Sequence, residues 1–366
     1  MASASPRRTP LYDLHVELNG KVVDFAGWEL PVQYPTGIVA EHKQCREKAG
    51  LFDVSHMGQV IIRGDNAATA LEALVPSAIA TLKPGKARYT VLTNDAGGIR
   101  DDLIISNAGD HLFVVVNAAM RDQDIAHIRA HLDGFEVTEL LDRALIAVQG
   151  PAAVDVVSSL APAAAELTFM ATLETELLGY TCRISRLGYT GEDGFEISML
   201  ADHAIEITRA LLAHEDCAPA GLGARDSLRL EAGLCLYGHD IDTETSPVEA
   251  QLPWIIQKRR REEGGFPGAD RILRELTDGP TRKLVGLRPE GRAPAREGCE
   301  IQSIDGAVIG KVTSGGFAPT LGTPISIGYV AAEHAAPGTN VNLIVRGKPL
   351  PAEVVTLPFV PHNYKR

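Results

Sequence analysis

The residues in this sequence best suited to chemistry are two adjacent carboxylates, Asp101 and Asp102, which follow the glycine pair Gly97-Gly98. The glycines permit a tight turn, and the strand-forming run 103–105 predicts one arm of a hairpin. Successive side chains of a strand face opposite sides, so only one of the two acids can point into a cleft. A carboxylate there could orient or accept a proton. Asp and Gly also dominate ordinary turns, so the stretch alone leaves a purely structural role open.

An internal repeat in the sequence would bring a further acid towards this pair. The matching positions are Gly64 with Gly150, Leu74 with Leu160, and Pro76 with Pro162. In each copy a strand-like run leads into a helical stretch, and a glycine-rich hairpin follows, at 89–106 and at 182–198. The repeat predicts a duplicated α+β unit with pseudo-equivalent hairpins. A ligand between the two halves would then contact both Asp102 and Glu196.

The other elements are predicted from apolar periodicity and turn residues. Helical stretches are expected at 38–48, 66–75, 121–132, 152–161, 202–213 and 221–234. Beyond residue 280, strand-like runs alternate with turn residues at 284–288, 300–303, 308–312, 325–330, 341–346 and 352–356. That texture predicts a separate all-β domain, so we divide the chain into residues 1–280 and 281–366. The charged run 258–263 is expected to be a solvated loop edge, and residues 1–8 a loose tail.

Composition excludes several classes of function. The chain has 366 residues and a formal net charge of −12, whereas a nucleic-acid-binding protein needs a basic surface. No apolar run approaches the ~18 residues of a membrane span. Five cysteines are scattered without a CxxC pair, which is typical of a reduced, intracellular chain rather than a zinc or disulfide scaffold. We therefore expect a cytoplasmic protein without nucleic-acid or membrane partners, and assign no residues to a metal.

Two further stretches admit both a binding role and a structural one. His56 and Met57 follow a strand-like run and could face a ligand, but methionine fills core gaps more often than it lines sites. Arg225 and Arg229 lie one helical turn apart, where they could hold an anion or form a solvated basic face. The preceding Gly-x-Gly lacks the third glycine of a dinucleotide-binding turn. The residues alone leave these alternatives open.

A series of short motifs spans almost the whole chain, at 9–12, 23–28, 51–57, 97–103, 148–151, 188–196, 221–231, 313–315 and 317–321. In type and order they resemble the motifs of the glycine cleavage T-protein family, the tetrahydrofolate-dependent aminomethyltransferases. The resemblance implies a cloverleaf of two interleaved α+β folate-binding subdomains within residues 1–280, closed by a C-terminal β-barrel domain. The family's own internal duplication agrees with the repeat.

The resemblance also implies a reaction and a set of site residues. Family members take an aminomethyl group from the lipoyl arm of H protein and give ammonia, 5,10-methylenetetrahydrofolate and dihydrolipoyl H protein. By position, Asp102 would be the catalytic carboxylate beside N10 of the folate, Glu196 would grip the pterin ring, and Arg225 would help hold the folate. Tyr89, Asn117, Tyr189 and Met57 would line the pocket, with Tyr364 added from near the C-terminus. The implied partners are tetrahydrofolate and, transiently, lipoylated H protein.

The sequence departs from the family pattern at two places, which leave the carboxylates untouched. His239 stands where the family usually has Gln, and 266–270 lacks the usual basic residue; both departures could alter docking of H protein. Two alternatives within the fold stay open, a folate-dependent demethylase and a non-catalytic folate-binding protein of iron–sulfur cluster assembly. The latter carries a Lys-Gly-Cys-Tyr-x-Gly signature, whereas residues 233–238 lack the lysine and have the cysteine displaced.

Overall fold

The computed structural model describes residues 5–366. The elements before the repeat are β1 (Arg7–Arg8), α1 (Tyr12–Glu17), β2 (Lys21–Phe25), β3 (Trp28–Gln33), α2 (Ile38–Glu47) and β4 (Ala49–Asp53). The first copy of the repeat comprises β5 (Gly58–Arg63), α3 (Ala67–Glu72), β6 (Lys86–Thr93), β7 (Ile99–Asn107), β8 (Leu112–Val116) and α4 (Arg121–His131), and β9 (Glu136–Glu139) follows it. The second copy comprises β10 (Arg143–Gln149), α5 (Ala153–Ser158), β11 (Ala171–Leu177), β12 (Tyr180–Arg186), β13 (Gly194–Leu200) and α6 (Ala204–Leu212). Then come β14 (Cys217–Pro219), α7 (Leu222–Glu231), α8 (Lys258–Glu263) and α9 (Ala269–Asp278).

The two copies form one sheet of eleven strands in the order β14-β4-β10-β13-β12-β11-β6-β7-β8-β5-β9. The halves meet where β11 pairs with β6, and each half contributes the same four strands in mirrored order. The predicted duplication and the α+β class are thus confirmed. The predicted helical stretches are confirmed as α2 to α7, with ends that differ by a few residues.

The halves exchange one strand each. β4, which precedes the first copy, pairs with β10 of the second, and β9, which precedes the second copy, pairs with β5 of the first. The registers correspond, because Asp53 lies opposite Ile146 and Glu139 lies opposite Val60. The subdomains are therefore interleaved, as expected.

The two predicted hairpins are not equivalent, however. The first is β6–β7 and the second is β12–β13, so they differ by one strand within the repeat. Phe113 of β8 lies opposite Ser106 of β7, as Glu196 of β13 lies opposite Ser185 of β12. Glu196 is therefore the counterpart of Phe113 and not of Asp102. Glycine-rich turns mark where a chain reverses, but not which pair of strands the turn connects.

The strand β7 separates two environments. Leu103 and Ile105 are fully or almost fully buried and pack in one apolar cluster with Ile125 and Ile128 of α4. Side chains of even-numbered residues therefore point to the opposite face of the sheet. Each helical layer thus covers one face of its half-sheet and leaves the other face for a pocket.

The C-terminal strands close into a barrel in the order β15-β18-β17-β16-β19-β20. They are β15 (Arg282–Pro289), β16 (Glu300–Gln302), β17 (Val308–Ala318), β18 (Thr323–Ala331), β19 (Asn340–Val345) and β20 (Lys348–Val355). Six strand-like runs were expected here, in a small barrel or a sandwich, and the barrel is confirmed. The division of the chain at residue 280 stays a prediction.

A buried ion pair joins the barrel to α7. The Asp240 carboxylate accepts hydrogen bonds from Arg229 at 2.7 Å and from Ser314 of β17 at 2.9 Å. The hydroxyl of Tyr329 on β18 donates to the backbone carbonyl of Asp240 at 2.7 Å. Arg229 is only 4% exposed, so the interpretation of a solvated basic face is wrong for this residue. A guanidinium is tolerated there because its donors meet a carboxylate and a hydroxyl.

Two local predictions fail. The charged run at 258–263 is the helix α8, and the buried Arg260 donates to the backbone carbonyls of Glu72 and Val75 at 3.1 and 3.2 Å. The expected N-terminal tail is partly ordered, because β1 pairs with β3 and the Arg7 guanidinium lies 4.4 Å from the Trp28 ring centroid. Residues 1–4 of that tail lie outside the described residues. Within residues 5–366, no helix has the length and apolarity needed to cross a membrane.

The Gly97-Gly98 turn is packed as well as tightly bent. Gly97 has a φ of +81°, a conformation that favours glycine. A Cβ at Gly98 would lie 1.8 Å from the backbone oxygen of Thr243, and one at Gly268 would lie 2.2 Å from the Cα of Gly97. The tip of the β6–β7 hairpin is thereby clamped between two later segments of the chain.

Gly98→Ala should therefore destabilise the protein by about 1–3 kcal/mol, the usual cost of overpacking, as measured by urea unfolding. Gly316→Ala is the matched control, because a Cβ there would meet only Leu230 Cδ2 at 3.7 Å. We expect the control to change the free energy of unfolding by less than about 0.5 kcal/mol. Equal losses in both variants would contradict the clamp.

Candidate functional site

Asp102 lies on the face of β7 that points away from α4. Its Oδ1 accepts a hydrogen bond of 2.7 Å from Nδ2 of Asn117, the residue after β8. The register places Asn117 beside Asp102, because Leu103 and Val116 are direct partners. The Tyr89 side chain on β6 lies close enough to the Asp102 carboxylate to favour its ionised form. Neighbouring strands of the first half thus assemble three of the predicted site residues.

The environment of Asp102 suits acid–base chemistry at neutral pH. Burial raises the pKa of its carboxyl to about 7, and the neighbouring Asp101 adds to the increase. The hydrogen bond from Asn117 and the nearby Tyr89 side chain oppose this increase in pKa by stabilising the ionised form. A group with a pKa near the working pH is well placed to orient or exchange a proton.

Asp101 occupies the opposite face of the strand, as the alternation of side chains requires. It is 0% exposed and faces Asp124 of α4, beside the apolar cluster. Asn117 bonds to it as well, through Nδ2 at 2.9 Å and through its backbone N–H at 3.2 Å. Only Asp102 is therefore available to the pocket side.

An exposed tryptophan, Trp254, lies beside Tyr89. The Trp254 ring stacks on Tyr89, with centroids 5.7 Å apart and planes at 23°. Trp254 is nevertheless 60% exposed, an unusual state for so large an apolar ring. Sequence reasoning missed this residue, although Pro253-Trp254 was visible at the end of a turn-rich stretch. An exposed aromatic ring thus lies one side chain away from the Asp102 carboxylate.

Tyr189 and Glu196 of the second half lie near Arg225 of α7. The Arg225 guanidinium carbon lies 4.8 Å from the ring centroid of Tyr189, whose hydroxyl donates to the carbonyl of Cys235. Arg225 Nη1 is buried without a hydrogen-bond partner among residues 5–366. Burial raises the pKa of Glu196 to about 7, and the charge of Arg225 opposes that increase. Arg225 is therefore half-buried with Nη1 enclosed, and its interpretation as part of a solvated face is wrong.

A pocket between the halves includes Glu196. Ile104 and Phe113 line it from the first half, and Arg183, Ser185 and Glu196 line it from the second. Ile104 lies two residues beyond Asp102 on the same face of β7. Asp102 therefore points to the same face of the sheet as the pocket that Glu196 lines, although the two acids do not occupy equivalent positions in the repeat.

The remaining candidates differ in their surroundings. Met57 is half-buried against the apolar cluster that contains Phe113, one of the residues lining the pocket. His56 is buried, and burial lowers the pKa of its ring to about 4, so it is neutral at physiological pH. Tyr364 stacks on Phe169 with centroids 4.1 Å apart. Within residues 5–366, neither a hydrogen bond nor a ring contact joins Tyr364 to another predicted site residue.

Comparison with known proteins agrees with this architecture. Residues 11–260 match the family model described as GCVT N-terminal domain, and residues 282–361 match the Glycine cleavage T-protein C-terminal barrel domain. A probable mitochondrial aminomethyltransferase of Schizosaccharomyces pombe is 48% identical, covering 99% of this chain and 95% of the relative. A mitochondrial aminomethyltransferase of Dictyostelium discoideum is 46% identical, covering 98% and 94%. The crystal structure of glycine cleavage system aminomethyltransferase T from Bartonella henselae is 40% identical with a TM-score of 0.94, covering 99% of this chain and all of that one.

These comparisons contradict one expectation. Both relatives are named as mitochondrial proteins, so the cytoplasmic location predicted from the sequence is wrong. Proteins of the cytosol and of other reducing compartments have similar net charge and cysteine usage, and both lack long apolar runs. These three properties therefore could not identify the compartment.

Asn117→Ala should raise the pKa of Asp102 by about one unit, because the ionised carboxylate loses a hydrogen bond. The pKa can be read by NMR titration of protein labelled with carbon-13 at the aspartate carboxyls. Asn107→Ala is the matched control. Asn107 lies on β7, five residues after Asp102, and its side chain donates to the Leu82 carbonyl instead. A pKa that is equal in both variants would show that Asn117 does not stabilise the carboxylate.

Proposed function

The chain belongs to the glycine cleavage T-protein family and is an aminomethyltransferase, and we propose that its substrates are tetrahydrofolate and lipoylated H protein. It would transfer the methylene carbon of the aminomethyl group to the folate, releasing ammonia and giving 5,10-methylenetetrahydrofolate and dihydrolipoyl H protein. The single observation that carries this proposal is the pocket between the halves, which Glu196 lines and towards whose side of the sheet Asp102 points.

The polar groups of the pocket suit a folate. A pterin edge presents adjacent N–H donors, and the Glu196 carboxylate makes no hydrogen bond within residues 5–366 that would compete with them. One carboxylate can accept two such donors in a bidentate, charge-assisted pairing. Arg225 has a buried Nη1 without a partner, which would find an acceptor on the ligand. Tyr89 and Tyr189 offer ring faces for stacking.

Asp102 would act at the folate nitrogens. Folate nitrogens are weak nucleophiles, so a carboxylate beside N10 would assist by orienting the nitrogen or by accepting its proton. Asn117 and Tyr89 would hold that carboxylate and keep part of it ionised near neutral pH. Met57 would close the pocket with apolar surface. Tyr364 is implied only by the family resemblance, and its role stays a prediction.

The lipoyl arm would enter at Trp254. This ring is exposed and stacks on Tyr89, which itself lies near Asp102. An apolar arm passing over Trp254 would therefore arrive beside the reacting folate atoms. We expect the encounter with H protein to be transient, because a carrier that visits several enzymes must leave each of them.

The alternative of a non-catalytic protein of iron–sulfur cluster assembly is not favoured. Cys235 is the cysteine nearest in sequence to that family's signature, and it is 8% exposed. Burial raises the pKa of its thiol well above the ordinary value. A thiol kept protonated in this way is a poor metal ligand or nucleophile.

Asp102→Asn should lower turnover by ~10²–10⁴-fold, because the amide cannot accept a proton, while folding and folate binding stay nearly intact. The measurement is methylenetetrahydrofolate formation with saturating folate and aminomethylated H protein. Asp101→Asn, the neighbouring acid on the other face, should cost far less. If Asp101→Asn inactivates the protein and Asp102→Asn turns over normally, the assignment is reversed.

Glu196→Gln should weaken folate binding by about 1.5–3 kcal/mol through loss of a charge-assisted pair. In the unsubstituted protein, folate affinity should also fall as the pH drops below about 7. Because the pKa of Glu196 is raised to about 7, its carboxyl group is then mostly protonated and must lose the proton before it can accept the pterin donors. Titration calorimetry measures both effects. Glu176→Gln, an exposed residue of β11, is the control. Unchanged folate affinity in Glu196→Gln would remove Glu196 from the folate site.

A further inference from the structure

Two carboxyl groups face each other beneath the site, on the core side of β7. Asp101 is 0% exposed and Asp124 of α4 is 2% exposed. Asp124 Oδ2 is buried, and no hydrogen-bond partner for it exists among residues 5–366. Two carboxylates that meet in an apolar interior repel each other and are poorly solvated, so both cannot remain ionised at low cost.

Asn117 connects this pair to Asp102. Its Nδ2 lies 2.7 Å from Asp102 Oδ1 and 2.9 Å from Asp101 Oδ1, and its backbone N–H donates to Asp101 Oδ2 at 3.2 Å. The orientation of the Asn117 amide therefore depends on Asp101. Any movement or charge at Asp101 reaches the Asp102 carboxylate through a single side chain.

We propose that Asp101 is a neutral carboxylic acid that donates its proton to Asp124 Oδ2, and that this hydrogen-bonded pair positions Asn117 and thereby Asp102. The proton stays within the pair, so no co-reactant is consumed. The hydrogen bond gives Asp124 Oδ2 the partner that it otherwise lacks. Asp101 and Asp124 are positioning residues for the site proposed above, and the inference rests on that proposed function.

The surroundings favour this distribution of the proton. Burial and the contact with Asp124 raise the pKa of Asp101 to about 9, whereas the pKa of Asp124 is raised only to about 6. Arg100, next to Asp101 in the chain, favours the ionised form of Asp124. His127 on α4 is neutral at physiological pH, since burial lowers its pKa to about 4.

The groups on the loop after α7 act in the same direction. Burial, with smaller contributions from the charges of Asp101, Asp124 and Asp242, raises the pKa of Tyr237 to about 12, so this side chain stays neutral. Arg100 is the cation that acts on both Tyr237 and Asp124. When Asp101 is neutral, the negative charge of the pair lies on Asp124 of α4 and not on the residue next to Asp102.

A pair of isosteric variants tests the proposal. In Asp101→Asn the amide nitrogen donates to Asp124 and the one remaining oxygen still accepts from Asn117. No charge is gained or lost beside Asp102, so the acidic limb of the turnover profile should stay within about 0.3 pH unit. In Asp124→Asn the amide donates to Asp101, which then ionises beside Asp102. The acidic limb should then move to higher pH by about one unit. Asp133→Asn, at an exposed loop position after α4, should leave the profile unchanged.

Infrared spectroscopy tests the pair without reference to activity. In protein labelled with carbon-13 at the aspartate carboxyls, a protonated-acid C=O band should persist near pH 8, above the pKa of Asp102 and below that of Asp101. The band should vanish in Asp101→Asn and in Asp124→Asn, and remain in Asp102→Asn and Asp133→Asn. If wild-type protein shows the band but no turnover with folate and H protein, the proposed function fails and the pair stands.

Two results would overturn the pair itself. One is a band that is missing in the wild type or survives in Asp101→Asn. The other is an acidic limb that moves to lower pH by about one unit in Asp101→Asn, which would mean that a negative charge had been removed. Because the band should disappear in both variants, failure of either one to fold leaves the other as the test.

Discussion

The alternation of side chains along β7 is the constraint on which the site depends. It sends two adjacent acids to opposite faces of one strand, one towards a folded apolar layer and one towards a pocket. Both faces must therefore be closed, by α4 on one side and by the second half of the sheet on the other. The chemistry assigned to Asp102 follows from this arrangement, because burial on both sides sets the pKa of its carboxyl.

The second half of the repeat completes the site because its side chains differ from those at the equivalent positions of the first half. Phe113 of the first copy and Glu196 of the second occupy equivalent positions. Ile104 and Arg183 are also equivalent, because Ile104 pairs with Val115 in the first copy as Arg183 pairs with Ser198 in the second. One copy thus presents apolar surface where the other presents charge. A pocket on the junction of the two copies can in this way offer an apolar wall and a polar wall to one asymmetric ligand.

Local pattern was enough to predict most of the fold. Glycines, prolines and apolar periodicity identified the repeat, the helices α2 to α7 and the six strands of the barrel. Parity along β7 predicted only that the two acids face opposite ways, and the choice of Asp102 came from the family resemblance. The errors concern contacts across long stretches of chain. Nothing near Arg260 in the sequence indicates the carbonyls of Glu72 and Val75, and nothing near Trp254 indicates Tyr89. Asp124 was missed for the same reason, since its partner lies on another element.

The exchange of β4 and β9 has a consequence for how the chain is made. Both strand neighbours of β4, β10 and β14, are translated after the whole first copy. A nascent chain that ends before residue 143 therefore exposes β4 as an unpaired edge, which is open to pairing with other chains. Neither half of the sheet can be completed until the second copy has been synthesised. A chaperone that shields β4 would therefore prevent aggregation mainly while the second half is still being translated.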